Sequence, residues 1–239
     1  MAGVSAFDAV AIGVYSVPGR EQTLRETLGE WRQFGIEPLV QVQPADWPRT
    51  EKSAFVNAET MLRRLLDEYP QASHLIFSED DVQVAPELEV WLPGLLWLGA
   101  PVTLFLVGWQ HYPQQLQQAN RETVLPERIV RVRRMHWFWG SQALLLPRGL
   151  VEELLTWRSG RLGWDLHFAA YLRRHAIPLI APVPNLVQHR GQVSTLHPDR
   201  EEFPYSTTFG LPSDGSGISP PSDIDWCPCG DWEPDPRLG

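Results

Sequence analysis

The sequence predicts a mixed α/β protein in which helices cover a central, mostly parallel sheet. The first observation is the order of strand, loop, helix and strand over residues 7–42, which is how a parallel, doubly wound sheet begins. The second is His74–Val84, a short apolar run that ends in Glu79, Asp80 and Asp81 and then turns apolar again. Such a run is typical of a buried central strand, and the C-terminal ends of these strands face the crevice where ligands bind.

The three consecutive carboxylates repel one another if they lie together at a sheet edge. Like charges a few ångströms apart are costly where the effective dielectric constant is low. A hard divalent cation such as Mg²⁺ or Mn²⁺ relieves that repulsion, because carboxylate oxygens are its preferred ligands. From these residues alone, a solvated acidic turn explains the triplet equally well.

Composition sets the expected organisation and the excluded classes of partner. The chain has 239 residues, is 43% hydrophobic and carries a formal charge of -9, which favours one domain over residues 1–205 followed by a tail over 206–239. The negative charge disfavours a general binder of nucleic acids or anionic membranes. The sequence has no signal peptide pattern and no run of 18 apolar residues, so we expect a cytoplasmic protein without a membrane span. The two cysteines, Cys227 and Cys229, exclude a disulfide framework for the core.

The first half of the chain gives three strands and two helices. The first strand is predicted over Phe7–Tyr15, and a Pro- and Gly-containing loop follows it. A helix begins near Glu21, with Gly35 at its C-cap, and a second strand covers Pro38–Val42. The next helix leads into the acidic strand, and its apolar face comprises Phe55, Ala58, Met61, Leu62, Leu65 and Leu66. Asn57 lies on this helix, either as a surface amide or directed at a ligand.

The middle of the chain continues the alternation of helices and strands. Pro86–Leu98 is predicted as a helix and Pro101–Val107 as a strand. The glutamine-rich, aromatic segment Trp109–Asn120 is either a loop over the site or a plain surface loop. In the strand Ile129–Val132, Arg131 and the arginines that follow make one face basic, which fits a phosphate contact or a solvated face.

The last third adds a small-residue turn, two helices and two strands. Gly140 and Ser141 precede an apolar strand, and a Gly-Ser turn allows a backbone to approach a ligand closely. The helices are predicted over Arg148–Trp157 and Trp164–His175. Asp165 lies at the start of the second helix. It is either an acidic residue that the helix dipole stabilises at this position or a carboxylate that faces a ligand.

The remaining strands are predicted over Ile177–Ile180 and Asn185–Gln188, and His189 follows directly as a structural histidine or a ligand. From Ser206 onward the apolar periodicity stops. This segment carries -5 of the total charge of -9 and is predicted to be a flexible tail.

Residues 7–197 together resemble the GT-A-fold glycosyltransferases, which transfer a sugar from a nucleotide-sugar donor and have a Rossmann-like sheet. Their order and spacing carry the resemblance, since no single stretch is specific. The matching stretches are Tyr15–Arg20, Asn57, Glu79–Asp81 in place of the DxD metal motif, Trp139–Ala143, Gly163–Asp165 and Leu186–Ser194. A glutamate at the first motif position departs from the commonest form.

The resemblance implies roles for individual residues. Asp81 is expected to bind Mn²⁺ or Mg²⁺ directly, His189 to complete the metal shell, and Glu79 to touch the ribose or the metal. Asp165 is expected to be the general base for the acceptor hydroxyl in an inverting reaction, and a retaining outcome stays open if it is not. The other residues expected to bind the donor are Tyr15, Ser16, Arg20, Asn57, Asp80, Gly140 and Ser141.

The expected function is metal-dependent glycosyl transfer from a nucleotide-sugar, by resemblance a UDP-sugar, to a hydroxyl acceptor. The acceptor is a glycan or a hydroxymethylated base in DNA, and the sequence does not predict the oligomeric state. Two alternatives stay open. One is a metal-dependent phosphohydrolase or nucleotidyltransferase, and the other is a non-catalytic nucleotide-sugar-binding module.

Overall fold

The computed structural model describes residues 5–105, the backbone of 122–125 and 129–132, and residues 141–158, 160, 163–182, 184–191, 206 and 209. Its helices are α1 (Glu21–Arg32), α2 (Glu51–Glu68), α3 (Leu88–Trp97), α4 (Arg148–Thr156) and α5 (Trp164–Arg174). Its strands are β1 (Val10–Ser16), β2 (Leu39–Val42), β3 (His74–Glu79), β4 (Val82–Val84), β5 (Val102–Thr103), β6 (Glu122–Leu125), β7 (Ile129–Val132), β8 (Ala143–Pro147), β9 (Leu179–Pro182) and β10 (Val187–His189).

Within these ranges, eight strands form one sheet in the order β2-β1-β3-β8-β5-β9-β7-β6. β1 runs parallel to both β2 and β3, as the opening of the sequence predicts. β8 and β7 run against their neighbours, while the other six strands point in one direction. The predicted α/β fold class, with its mostly parallel central sheet, is therefore confirmed.

A second, two-stranded sheet was not predicted. β10 pairs with β4 in antiparallel orientation, and His189 lies opposite Val82 in the register. Because β4 follows the acidic turn at the end of β3, this pairing brings a histidine from late in the chain to the three carboxylates.

The core lies on both faces of the sheet, and β3 contributes to each. Ile76 belongs to the apolar cluster that includes residues of α1 and α3. Leu75 and Phe77 belong to the cluster on the opposite face, with α2, α4 and α5. The alternation follows from the period of two in a strand, so β3 is covered by helices on both sides.

α2 packs unusually close to the sheet at Gly13 in β1. A Cβ atom on Gly13 would lie 2.8 Å from Met61 Sδ and 2.8 Å from Leu65 Cδ1. The absence of a side chain therefore sets the distance between α2 and β1.

The first strand starts later than predicted. Phe7 lies in a 3₁₀ turn over Ala6–Ala9, and β1 begins only at Val10. Ser5 accepts a hydrogen bond from the Phe7 amide and Asp8 accepts one from the Ser5 amide, so local capping outcompetes the apolar pattern.

Other boundaries differ by a few residues. α3 begins at Leu88 rather than Pro86, and the predicted strand over 177–180 is β9, Leu179–Pro182, because the chain first turns through Ala176 with a positive φ of 54°. The strand predicted over 185–188 is β10, which pairs with β4 rather than joining the main sheet. The predicted loop 109–120 and Gly140 lie outside the described residues.

Ser206, the first residue of the predicted tail, is packed against the body of the protein. It is 5% exposed, its amide donates to Gln188 Oε1 at 2.8 Å, and its hydroxyl donates to Asn185 Oδ1 at 2.6 Å. Ser206 itself is therefore part of the packed structure. None of the helices in the described ranges is long and apolar enough to span a membrane.

Candidate functional site

The acidic turn between β3 and β4 is held from below by Thr27 on α1. The Thr27 hydroxyl donates to the carbonyl oxygen of Asp80 at 2.8 Å and accepts from the Val82 amide at 3.1 Å. Thr27 is fully buried, and Asp80 and Asp81 are each 5% exposed. One hydroxyl therefore satisfies two backbone groups that have no strand partner at this turn. It also fixes the position of the backbone that carries the two aspartates.

Asp80 is directed into the loop that follows β1. Its Oδ2 accepts from the Ser16 hydroxyl, and its Oδ1 accepts from Arg20 Nε at 2.8 Å. Burial raises the pKa of Asp80 to about 6, against the opposing effect of the Arg20 charge. Both oxygens of Asp80 are thus engaged by the protein, which ties the loop after β1 to the acidic turn.

The two carboxylate oxygens of Asp81 differ in their contacts with the described part of the chain. Oδ2 accepts from an Arg20 guanidinium nitrogen at 2.5 Å and lies 3.2 Å from His189 Nε2. Oδ1 is buried and accepts no hydrogen bond from the described part of the chain. Burial alone would raise the pKa of Asp81, but the hydrogen bond and charge of His189 and the charge of Arg20 outweigh it and hold that pKa below its usual value.

His189 is oriented by contacts at both ring nitrogens. Its Nδ1 accepts from the Gly191 amide at 3.0 Å, while Nε2 faces Asp81. Burial lowers the pKa of His189, but the hydrogen bond and charge of Asp81 outweigh that effect and raise it. The result is a buried carboxylate–imidazole pair at the C-terminal edge of β3.

Glu79 occupies a different environment from the two aspartates. Its Oε1 accepts from the Tyr15 hydroxyl at 2.9 Å and from the Ser141 hydroxyl at 2.9 Å. Burial, followed by the charges of Asp81 and Asp165, raises the pKa of Glu79 to about 8. The sheet register explains the cluster, because Tyr15 lies directly opposite Glu79 in the parallel pairing of β1 with β3.

The donor set fits a divalent cation that takes two ligands from this chain. Asp81 Oδ1, buried and without a hydrogen-bond partner among the described residues, is a hard oxygen that suits Mn²⁺ or Mg²⁺. The imidazole of His189 adds a nitrogen, which is a less favourable ligand than oxygen for Mg²⁺. Among the described residues, no three His, Cys, Asp or Glu side chains form a group that holds a metal ion unaided. A substrate or water could supply further ligands, and the expected role of Glu79 as a third ligand stays a prediction.

Asn57 is neither a surface amide nor visibly free for a ligand. It is 1% exposed, its Nδ2 donates to the Ser16 carbonyl at 3.0 Å, and its Oδ1 accepts from Gln41 Nε2 at 3.2 Å. It thereby joins the ends of β1 and β2 next to the acidic turn. Its predicted contact with the donor stays a prediction.

Asp165 is the second residue of α5, as predicted. The preceding Trp164 is buried and stacks on Phe77 of β3, with ring centroids 5.3 Å apart, which anchors the start of α5 to the central strand. The negative charge of Asp165 contributes to the raised pKa values of both Tyr15 and Glu79. Asp165 is therefore close enough to Tyr15 and Glu79 for its charge to act on both.

Three residues that support the site were not predicted from the sequence: Thr27, Glu30 and Arg190. The first two lie on α1, where the apolar spacing predicts only which residues face the core. The position of Arg190 directly after His189 is the one signal in the sequence that points to it.

Neither a protein-family model nor a curated protein sequence matches the chain. Solved structures that resemble its chain path include a glycosyltransferase involved in the glycosylation of the major capsid of PBCV-1, with 11% identity, a TM-score of 0.42, and coverage of 62% of this chain and 66% of that one. A197 from STIV matches with 17% identity, a TM-score of 0.46, and coverage of 80% and 91%. The inositol-1-phosphate CTP transferase from T. maritima matches with 13% identity, a TM-score of 0.36, and coverage of 70% and 64%. The chain thus spans just under two thirds of the first and the third of these structures, and likenesses at this level do not identify a substrate.

Proposed function

We propose that this protein is a metal-dependent glycosyltransferase that moves a sugar from a nucleotide-sugar to a hydroxyl acceptor with inversion. The observation that carries the proposal is the buried Asp81–His189 pair, with Nε2 and Oδ2 3.2 Å apart, at the C-terminal edge of the central strand. Asp81 Oδ1 is buried beside this pair and has no hydrogen-bond partner among the residues that the structure describes. A ligand crevice is expected at this edge of an α/β sheet.

On the donor side, Asp81 and His189 would hold Mn²⁺ or Mg²⁺. Such an ion, when bound, offsets the negative charge that develops on the departing nucleoside diphosphate. Arg20 already bonds to both Asp80 and Asp81, so it fixes the two carboxylates and adds a positive charge at the same place. Ser16 and Asn57 hold the end of β1 against the acidic turn. The proposed donor is a UDP-sugar.

On the acceptor side, Asp165 is the proposed general base. Its place on the first turn of α5 gives its carboxylate a rigid support, and Trp164 anchors that turn to β3. Asp165 would accept the proton from the acceptor hydroxyl as the oxygen attacks the anomeric carbon. The charges of both Asp81 and Asp165 raise the pKa of Glu79, so this carboxyl group is influenced by the residues proposed for both sides.

A two-metal phosphohydrolase or nucleotidyltransferase is less well supported. Two-metal sites hold ions about 3.5–4 Å apart with several carboxylates, and the described residues contain no group of three metal-binding side chains.

The acceptor is proposed to be a glycan or a hydroxymethylated base in DNA.

The test is a screen of nucleotide-sugars for release of the nucleoside diphosphate, with Mn²⁺ or with a chelator. UDP-sugars are tested first, with glycans and hydroxymethylated DNA as acceptors and mass spectrometry of the products. We expect metal-dependent release that Asp81→Asn abolishes and that Asp67→Asn, a change at an exposed aspartate of α2, leaves intact. Release that is equal in the Asp81→Asn variant, or transfer of a nucleotidyl group instead of a sugar, would refute the proposal.

A further inference from the structure

Arg190 contacts the acidic turn through both its backbone and its side chain. Its amide donates to the Asp81 carbonyl at 2.8 Å, and its Nε donates to the Val82 carbonyl at 3.0 Å. The amide bond extends the pairing of β10 with β4 by one residue past His189. The backbone that carries His189 is therefore attached directly to the backbone that carries Asp81.

The far end of the Arg190 side chain is held by α1. One guanidinium nitrogen donates to Glu30 Oε1, and another lies 3.9 Å from Glu26 Oε2. Glu30 in turn accepts the Val84 amide at Oε2, at 3.2 Å. The two side chains of the main ion pair, Arg190 and Glu30, are 24% and 22% exposed, so the pair is less screened than a surface ion pair.

We infer that Arg190 and Glu30 form a clamp that positions His189 against Asp81 and thereby sets the affinity of the site for a divalent cation. The inference rests on the proposed function, since it assigns positioning residues to the same site. Neither side chain is proposed as a ligand. Each acts on the distance between the two ligands through β4 and β10, and supporting residues of this kind typically change metal affinity about 10- to 100-fold.

A purely electrostatic effect and a positioning effect predict different changes in cation affinity when Arg190 or Glu30 is replaced. If only the charges matter, replacing Arg190 with glutamine removes a positive charge and strengthens cation binding, whereas replacing Glu30 with glutamine removes a negative charge and weakens it. If the clamp positions the ligands, both substitutions weaken binding. The combined variant then loses no more than the single variants, because each single change already opens the clamp.

The experiment is a titration of the purified protein with Mn²⁺ alone, in which the electron paramagnetic resonance signal of free Mn²⁺ reports the dissociation constant. The variants are Arg190→Gln, Glu30→Gln, their combination, and Arg190→Lys, which keeps the charge but loses the geometry of the guanidinium. Arg32→Gln is the matched control, because Arg32 is the last residue of α1, which also carries Glu30, and it forms an exposed ion pair at 2.6 Å with Glu37, which follows the helix. Asp81→Asn defines the signal that is lost with the site, and thermal unfolding confirms that each protein is folded.

We expect Arg190→Gln and Glu30→Gln each to weaken Mn²⁺ binding about 10- to 100-fold, with the double variant in the same range and Arg190→Lys between wild type and Arg190→Gln. Arg32→Gln should bind as wild type does. Opposite signs for the two single variants, or wild-type affinity in Arg190→Gln, would overturn the clamp and leave the proposed function standing. A wild-type protein whose binding of Mn²⁺ does not differ from that of Asp81→Asn would overturn both.

Discussion

Replacing Thr27 with valine tests how the acidic turn is held, because valine keeps the shape of threonine and removes only the hydroxyl. Thr27 is fully buried, and its hydroxyl bonds to the Asp80 carbonyl at 2.8 Å and to the Val82 amide at 3.1 Å. In the valine variant, both backbone groups lose this partner in a place that water does not reach. Leaving a buried polar group unsatisfied costs about 1–3 kcal/mol.

The loss of this partner by both groups should lower the free energy of unfolding by about 2–6 kcal/mol, which corresponds to a melting temperature lower by about 4–24 °C for a protein of this size. The matched control is Thr60→Val on α2, whose hydroxyl donates to the Val56 carbonyl one helical turn earlier, at 2.8 Å. That carbonyl keeps its helical bond, so the control should stay within about 0.5 kcal/mol of wild type. Thermal and urea unfolding followed by circular dichroism measure both variants. Equal stability of Thr27→Val and Thr60→Val would refute the role given to the Thr27 hydroxyl.

Three further predictions concern the base, the packing of α2 and the end of the folded chain. Asp165→Asn should lower turnover by roughly 10²- to 10⁴-fold with donor binding unchanged, as steady-state kinetics and calorimetry would show; wild-type turnover, or a product that retains the anomeric configuration of the donor, speaks against an inverting base. Gly13→Ala should lower the free energy of unfolding by about 1–3 kcal/mol because its Cβ meets α2, whereas Gly29→Ala on α1, which has open space, should not be destabilising; equal urea midpoints would contradict the close packing. Truncation after Phe209 should leave the melting temperature unchanged and truncation before Ser206 should lower it; equal melting temperatures of the two truncated proteins would show that Ser206 adds nothing to stability.

The sequence was sufficient for features that depend on local pattern. The apolar run before Glu79 is the central strand β3, and the order of the first three strands and two helices is as predicted. Asp165 lies on the first turn of a helix because Gly163 precedes it in an extended conformation. Alternation and helical spacing are properties of consecutive residues, so the sequence reveals them directly.

Features that depend on contacts between distant segments were not predictable in the same way. The pairing of β10 with β4 joins residues about a hundred positions apart, and only this pairing explains why His189 meets Asp81. Asn57 is a second example. The sequence places its amide on a face of α2, but it does not show that this amide is buried against the ends of β1 and β2. Helix periodicity identifies the face on which a polar side chain lies, but it does not identify that side chain's partner.

The most direct test of the central claim is the effect of Mn²⁺ on the binding of a nucleoside diphosphate, measured by isothermal calorimetry with UDP as the probe. The comparison uses wild type, Asp81→Asn and the exposed control Asp67→Asn, each with Mn²⁺ and with a chelator. We predict that wild type and Asp67→Asn bind UDP tightly only with Mn²⁺, and that Asp81→Asn shows no such dependence. Binding of UDP by Asp81→Asn with the wild-type Mn²⁺ dependence would contradict the assignment of Asp81 as the metal-holding carboxylate.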